Sequence, residues 1–142
     1  MQIKNKIIIT TICVLSLFIS CFNLQADEFD ISASEITIDK ENEIIRGKGS
    51  VVVTDYQGRI IKANNVIYKK KEEFLLSEGS VKIFDTEGNI ITTDKATYDK
   101  KNEIIVTYDN SEVLISEGYK LISNKVIYNT IKKIISSDQN ST

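Results

Sequence analysis

Two aspartates, Asp55 and Asp85, and three tyrosines, Tyr68, Tyr98 and Tyr128, recur at intervals of thirty residues. Carboxylates in such a series suggest a metal or acid–base site, or a turn device repeated along the chain. Each aspartate opens a D-x-x-G segment, Asp55-Tyr56-Gln57-Gly58 and Asp85-Thr86-Glu87-Gly88. In that setting an Asp side chain bonds its own backbone two residues on, which assigns both to turns. The tyrosines read as packing residues with a hydrogen-bonded hydroxyl. Lys69-Lys70-Lys71 offers ammonium groups to a phosphate, but its place between apolar runs marks a solvated turn. The chain has no His, and its two cysteines, Cys13 and Cys21, both precede residue 27. The commonest general bases, nucleophiles and transition-metal ligands are therefore missing from the rest of the chain. No two carboxylates are set apart as a glycosidase pair. The expectation is a protein that is not an enzyme and uses neither metal nor cofactor.

The tyrosines belong to a longer repeat. Gly58, Gly88 and Gly118 keep the same interval, as do Ile61, Ile91 and Leu121, while Gly49 matches Gly79 and Asp39 matches Asp99. A fixed period of this length marks stacked supersecondary units. Within the units, segments 31–38, 44–55, 59–68, 74–85, 89–98, 104–108, 112–115, 119–128 and 131–135 are rich in Val, Ile, Thr and Tyr, with polar turns between them. That is the pattern of an all-β domain, and the turn glycines suit positive φ at hairpin tips.

Alternation along these strands identifies an inward face. Val51 and Val53 share one parity, and Leu75, Ser77, Gly79, Val81 and Ile83 repeat it one unit later. The following strand of each unit changes step. Ile61 and Ala63 are odd, Val66 and Tyr68 even; Ile91 gives way to Ala96 and Tyr98, and Leu121 to Val126 and Tyr128. One extra residue near Asn64-Asn65, Asp94-Lys95 and Asn124-Lys125 restores a common face, as a β-bulge or strand corner does. A corner at the same place in every unit predicts a folded-over antiparallel sheet, a sandwich or half-open roll with an apolar inner face that also includes Val113.

The first residues read differently. Lys4 and Lys6 precede an apolar run, 7–19, and then Leu24-Gln25-Ala26, the order of a secretory signal peptide cleaved between Ala26 and Asp27. Two other readings stay open: a retained membrane anchor, and lipid attachment at Cys21 after Phe18-Ile19-Ser20. The expected organisation is a signal peptide at 1–26, one domain at 27–136 and a polar tail at 137–142. Removing 1–26 takes away Lys4 and Lys6 and no acid, leaving 16 basic against 20 acidic residues. A mildly acidic, evenly mixed chain does not suit nucleic acid.

The repeat resembles a known one. Ile61-Lys62-Ala63 with Val66-Ile67-Tyr68, then Glu78-Gly79-Ser80-Val81 and Asp85-Thr86-Glu87-Gly88, is similar to the OstA-like repeat of the lipopolysaccharide-transport family, which includes LptA-like periplasmic proteins and the N-terminal domain of LptD. Gly47-Lys48-Gly49-Ser50-Val51 with Asp55 and Gly58 gives a further copy, and the likeness spans about 31–135. It departs at Asp109, which stands where Gly49 and Gly79 stand. The resemblance implies a β-jellyroll open at both ends, working in the periplasm of a Gram-negative cell. It implies a bridge that shields lipopolysaccharide acyl chains and passes the lipid toward the outer membrane for assembly. The lipid-facing residues would be Val51, Val53, Ile61, Ala63, Val66, Tyr68, Leu75, Val81, Ile83, Ile91, Ala96, Tyr98, Val113, Leu121, Val126 and Tyr128. It also implies LptC-like and LptD-like partners joined through edge strands, and head-to-tail self-association. The alternative is a docking domain of an LptD-like assembly machine that binds no lipid. The absence of a long run of amphipathic strands favours the free-standing form, and the corner in each unit argues against a surface β-solenoid.

Overall fold

The computed structural model describes residues 29–137. The signal segment, Cys21, the Ala26–Asp27 junction and residues 138–142 lie outside them. Eleven strands follow in order: β1 (Phe29–Ser32), β2 (Glu35–Asp39), β3 (Ile44–Asp55), β4 (Ile60–Lys69), β5 (Phe74–Phe84), β6 (Ile90–Asp99), β7 (Ile104–Tyr108), β8 (Ser111–Leu114), β9 (Lys120–Ser123), β10 (Val126–Asn129) and β11 (Ile134–Ser137). They form one sheet in which every pair is antiparallel.

The sheet is creased across its four long strands. On one side of the crease β2 pairs with 44–48 of β3, and the ladder continues through 65–69, 74–78 and 95–99 to β7, β10 and β11. On the other side β1 pairs with the far end of β3, and the ladder runs through 60–63, 81–84 and 90–93 to β8 and β9. We call these leaf one and leaf two. The short strands arise where the chain breaks at the crease instead of bending through it. That is why 31–38 forms two strands, β1 and β2, and why 119–128 forms β9 and β10.

The crease has two parts, of which the parity of the sequence shows one. The change of step in β4 lies at Asn64-Asn65, as the alternation indicates, and both side chains point outward. Opposite it, the neighbouring strands turn on a pair of left-handed residues. These are Gly49 and Ser50 (φ 76° and 49°), Gly79 and Ser80 (79° and 50°), and Asp109 and Asn110 (62° and 48°). Register shifts fall at the first two pairs, and the third is where the chain divides into β7 and β8. Gly79 is therefore part of the corner and not of the inward row. A Cβ there would lie 2.8 Å from Asn64 Nδ2. Asp109 keeps the same conformation because Asp and Asn tolerate the left-handed region better than other side chains. The departure from Gly at that position leaves the geometry intact.

Both hairpin ends also repeat. At the tips of leaf two Gly58, Gly88 and Gly118 have φ of 88°, 87° and 94°, as their spacing predicts. At the tips of leaf one the left-handed residue is not Gly: Glu43, Glu73, Glu103 and Lys133 have φ of 53°, 51°, 55° and 57°.

Candidate functional site

Residues directly opposite one another in a ladder share a face of the sheet, so the registers define two rows that face each other across the fold. In leaf one the row is Ile38, Ile45, Tyr68, Leu75, Tyr98, Ile105, Tyr128 and Ile135. In leaf two it is Ile31, Val53, Ile61, Ile83, Ile91, Val113 and Leu121. Val51, Ala63, Val66, Val81, Ala96 and Val126 fill the angle next to the crease. Fifteen of the sixteen residues expected on the inner face are buried, and the sixteenth, Leu121, is half-buried against them.

Across the middle of the sheet the two rows pack on each other, and the chain's own side chains fill the interior. The cover fails toward the edges. Ile38 is 59% exposed, while Ile31, Ile45, Leu121 and Ile135 are half-buried. At the β1–β2 edge this leaves an apolar mouth of about 210 Å³ lined by Phe29, Ile31, Ile36, Ile38, Ile45 and Tyr68, with Lys70 at its rim. Phe29 crosses from leaf two and meets Tyr68 and Tyr98 edge-on, at 4.8 and 5.7 Å between ring centroids.

Opposite the crease, polar bonds clasp the leaves together. Asp55 Oδ1 accepts from the backbone N–H of Gln57 and of Arg59, each at 2.9 Å, which is the turn role expected of it. Its other oxygen takes a 2.6 Å bond from Arg59 Nη1. Arg59 Nη1 also donates to the Tyr98 hydroxyl at 2.8 Å, and that hydroxyl donates to Glu103 Oε2 at 2.7 Å. Thr130 Oγ1, Lys100 Nζ and, at 3.4 Å, the Tyr56 hydroxyl also bond Glu103. One unit later the same offset of forty-three residues joins Asp85 to Tyr128, whose hydroxyl donates at 2.9 Å, with Asn89 in the place of Arg59. Burial pushes the Tyr98 hydroxyl up to about 12, although Arg59 pulls the other way. Burial first, and then the bond to Asp85, pushes Tyr128 up as well.

Several members of the site have only faint marks in the sequence. Ile105 continues the leaf-one row, yet it lies in a short strand without the repeat's signature residues. Near the third corner the inner face becomes polar. Thr107 and Ser111 hydroxyls lie 2.6 Å apart, and Thr93 and Ser111 3.2 Å apart, all buried. Arg59 could have been noticed as the one cation at the position that Asn89 occupies in the next unit. Among the described residues no cluster of three His, Cys, Asp or Glu is arranged to hold a metal.

No protein-family model and no curated protein matches the chain by sequence. Its structure is similar to that of LptH from Pseudomonas aeruginosa, described as the LptA-homologous periplasmic component of the conserved lipopolysaccharide transport device. The TM-score is 0.70 and the identity 20%, over 77% of this chain and 80% of that one. The chain therefore has the fold of LptA-like proteins, a creased antiparallel jellyroll built from thirty-residue units.

Proposed function

We propose that this protein is a periplasmic carrier that shields the acyl chains of lipopolysaccharide between its two leaves and hands the lipid on toward the outer membrane. The observation that carries this reading is the pair of facing apolar rows, which run from one unpaired edge of the sheet to the other and lose their cover at the ends. Acyl chains enter at the uncovered mouths, and further in as the two rows separate. Each methylene removed from water contributes about 0.8 kcal/mol, so a few carbons per chain offset the loss of some side-chain contacts. Among the described residues β1 and β2 at one end, and β9 and β11 at the other, are the edge strands of the sheet, positions suited to strand addition. That suits LptC-like and LptD-like neighbours and a second copy head to tail. The likeness to LptH supports the same reading.

The test is a photo-crosslinking amino acid placed at Val81 or Ile83 on the inner face, and at Thr97 on the outer face of leaf one, in living cells. Adducts with the mass of lipopolysaccharide are expected from the inner positions and not from Thr97. Protein adducts alone, with no lipid at any inner position, refute the carrier and leave a docking domain.

A further inference from the structure

The outer face of leaf two carries an unneutralised pair of cations. Lys62 and Lys82 are directly opposite in the ladder between β4 and β5, and both are exposed. Their ammonium groups lie 5.5 and 5.3 Å from the centroid of the same ring, Phe84. Like charges directly across a sheet repel, and neither lysine has an ion pair among the described residues. Elsewhere on the outer faces, by contrast, Lys69 pairs with Glu72 and Lys95 with Glu78 on leaf one, and Lys120 with Glu112 on leaf two. Lys62 also lines a notch of about 360 Å³ on the outside of the crease, with Ser50, Asn64 and Ser80 around it. One unit later the equivalent notch, which Lys82 lines, contains Asp94, bound by Asn110 at 2.7 Å. Asn64 stands in that aspartate's place, so the first notch offers hydroxyl, amide and ammonium donors and no carboxylate.

Beside the lysines runs an apolar row. Ile60, Phe84, Ile90 and Leu114 are opposite one another on four successive strands, the first three half-buried and Leu114 exposed. Donors for anionic oxygens next to an outward apolar row match a surface of phosphates above hydrocarbon. We infer that the outer face of leaf two docks on an anionic phospholipid surface, with lipid phosphates against Lys62 and Lys82 and Phe84 and its row in the interfacial layer. The inference concerns the opposite side of the sheet from the proposed groove and is independent of it. After loss of residues 1–26 the chain has 16 basic and 20 acidic residues, so adsorption to an anionic surface has to come from a local patch.

The chain has no Trp, so Phe84→Trp introduces a single reporter at the patch. The variant is mixed with vesicles of phosphatidylglycerol and phosphatidylcholine in which some acyl chains are brominated. Emission should be quenched in the anionic vesicles and not in pure phosphatidylcholine, and the quenching should weaken as salt screens the charges. Adding Lys62→Gln and Lys82→Gln should raise the half-saturating lipid concentration by about fivefold per lysine. Phe74→Trp, on the outer face of leaf one, should stay unquenched. Because the quenching is local, it reads this face whether or not the N-terminal segment is retained. Co-sedimentation of the unsubstituted chain against the double Gln variant makes the same comparison should Trp at 84 disturb the fold. Equal quenching in neutral vesicles, equal quenching of Phe74→Trp, or no loss in the double Gln variant overturns the inference. So does an emission shift produced by inorganic phosphate without vesicles, which would mark a free-anion site.

Discussion

Arg59 provides the sharpest test of how the leaves are held together. Its guanidinium and the Asp55 carboxylate meet at 2.6 Å with side-chain exposures of only 5% and 1%. Removing one partner of a buried pair commonly costs about 3–5 kcal/mol, because the other charge is left uncompensated. Two features lower that figure here. Asp55 keeps both backbone N–H bonds after Arg59 is truncated, and Arg59 Nε has no acceptor among the described residues, so its burial is incompletely offset. Arg59→Ala should therefore destabilise the fold by about 3 kcal/mol, a fall of roughly 10–15 °C in Tm for a domain of this size.

The next unit supplies an internal standard. There Asn89 Nδ2 donates to Asp85 at 2.7 Å and no charge is needed. Arg59→Asn should reproduce that bond and cost only about 1 kcal/mol, the value of an ordinary hydrogen bond lost at Tyr98. Urea unfolding followed by circular dichroism gives both numbers, with an unchanged slope showing that only stability has moved. Equal losses for Ala and Asn, or a loss below about 1 kcal/mol for Ala, would show that the clasp does not hold the leaves.

Three further outcomes follow from the same geometry. Ile83→Asp places an unpaired charge in the buried row and should cost more than about 3 kcal/mol, whereas Thr97→Asp on the outer face should change stability by less than about 0.5 kcal/mol; similar losses in the two would mean the faces are misassigned. Gly79→Ala should destabilise by about 1–2 kcal/mol, from its φ of 79° and the 2.8 Å approach to Asn64, while Glu73→Gly, which relieves a side chain held at φ 51°, should stabilise by about 1 kcal/mol; thermal melts report both signs. In an alkaline titration read at 295 nm, Tyr98 and Tyr128, both raised by burial, should ionise after Tyr56, which its bond to Gln57 lowers. The folded value of Tyr98, about 12, lies above its ordinary 10.0, so the stability held in its protonated form is complete below pH 10 and is lost as pH rises toward 12. Simultaneous ionisation of Tyr56, Tyr98 and Tyr128 in the native chain would contradict the clasp.

The inner face was legible because two signals agreed, the thirty-residue period and the change of parity at Asn64-Asn65. Even-spaced apolar residues on a strand that is half covered leave little freedom, which is why Val81, Ile83 and Ile91 fall where the alternation puts them. The corner was only half legible. Gly79 has the parity of Leu75 and Ile83, and nothing in a parity count distinguishes an inward residue from one in a left-handed bulge. The clasp was less legible still. Asp55 declares itself as a turn residue and is one, but its second oxygen holds Arg59, which in turn meets Tyr98, forty-three residues beyond Asp55. Long-range pairing of that kind leaves no local pattern. The filling of the interior was likewise hidden, since an apolar face reads the same whether it meets a lipid or its own opposite leaf.

The offset between each turn aspartate and its tyrosine has a consequence for the length of the molecule. Asp55 reaches Tyr98 through Arg59 and Asp85 reaches Tyr128 directly, so each link spans only to the adjoining unit, and no contact of this kind measures the whole. A tandem duplication of 61–90 would put a second Tyr68 where Asp55 and Arg59 now find Tyr98, and every later pairing would shift along unchanged. Repeat architectures with neighbour-only couplings grow by addition. A longer or shorter sheet is thus one recombination event away, with no compensating substitution required.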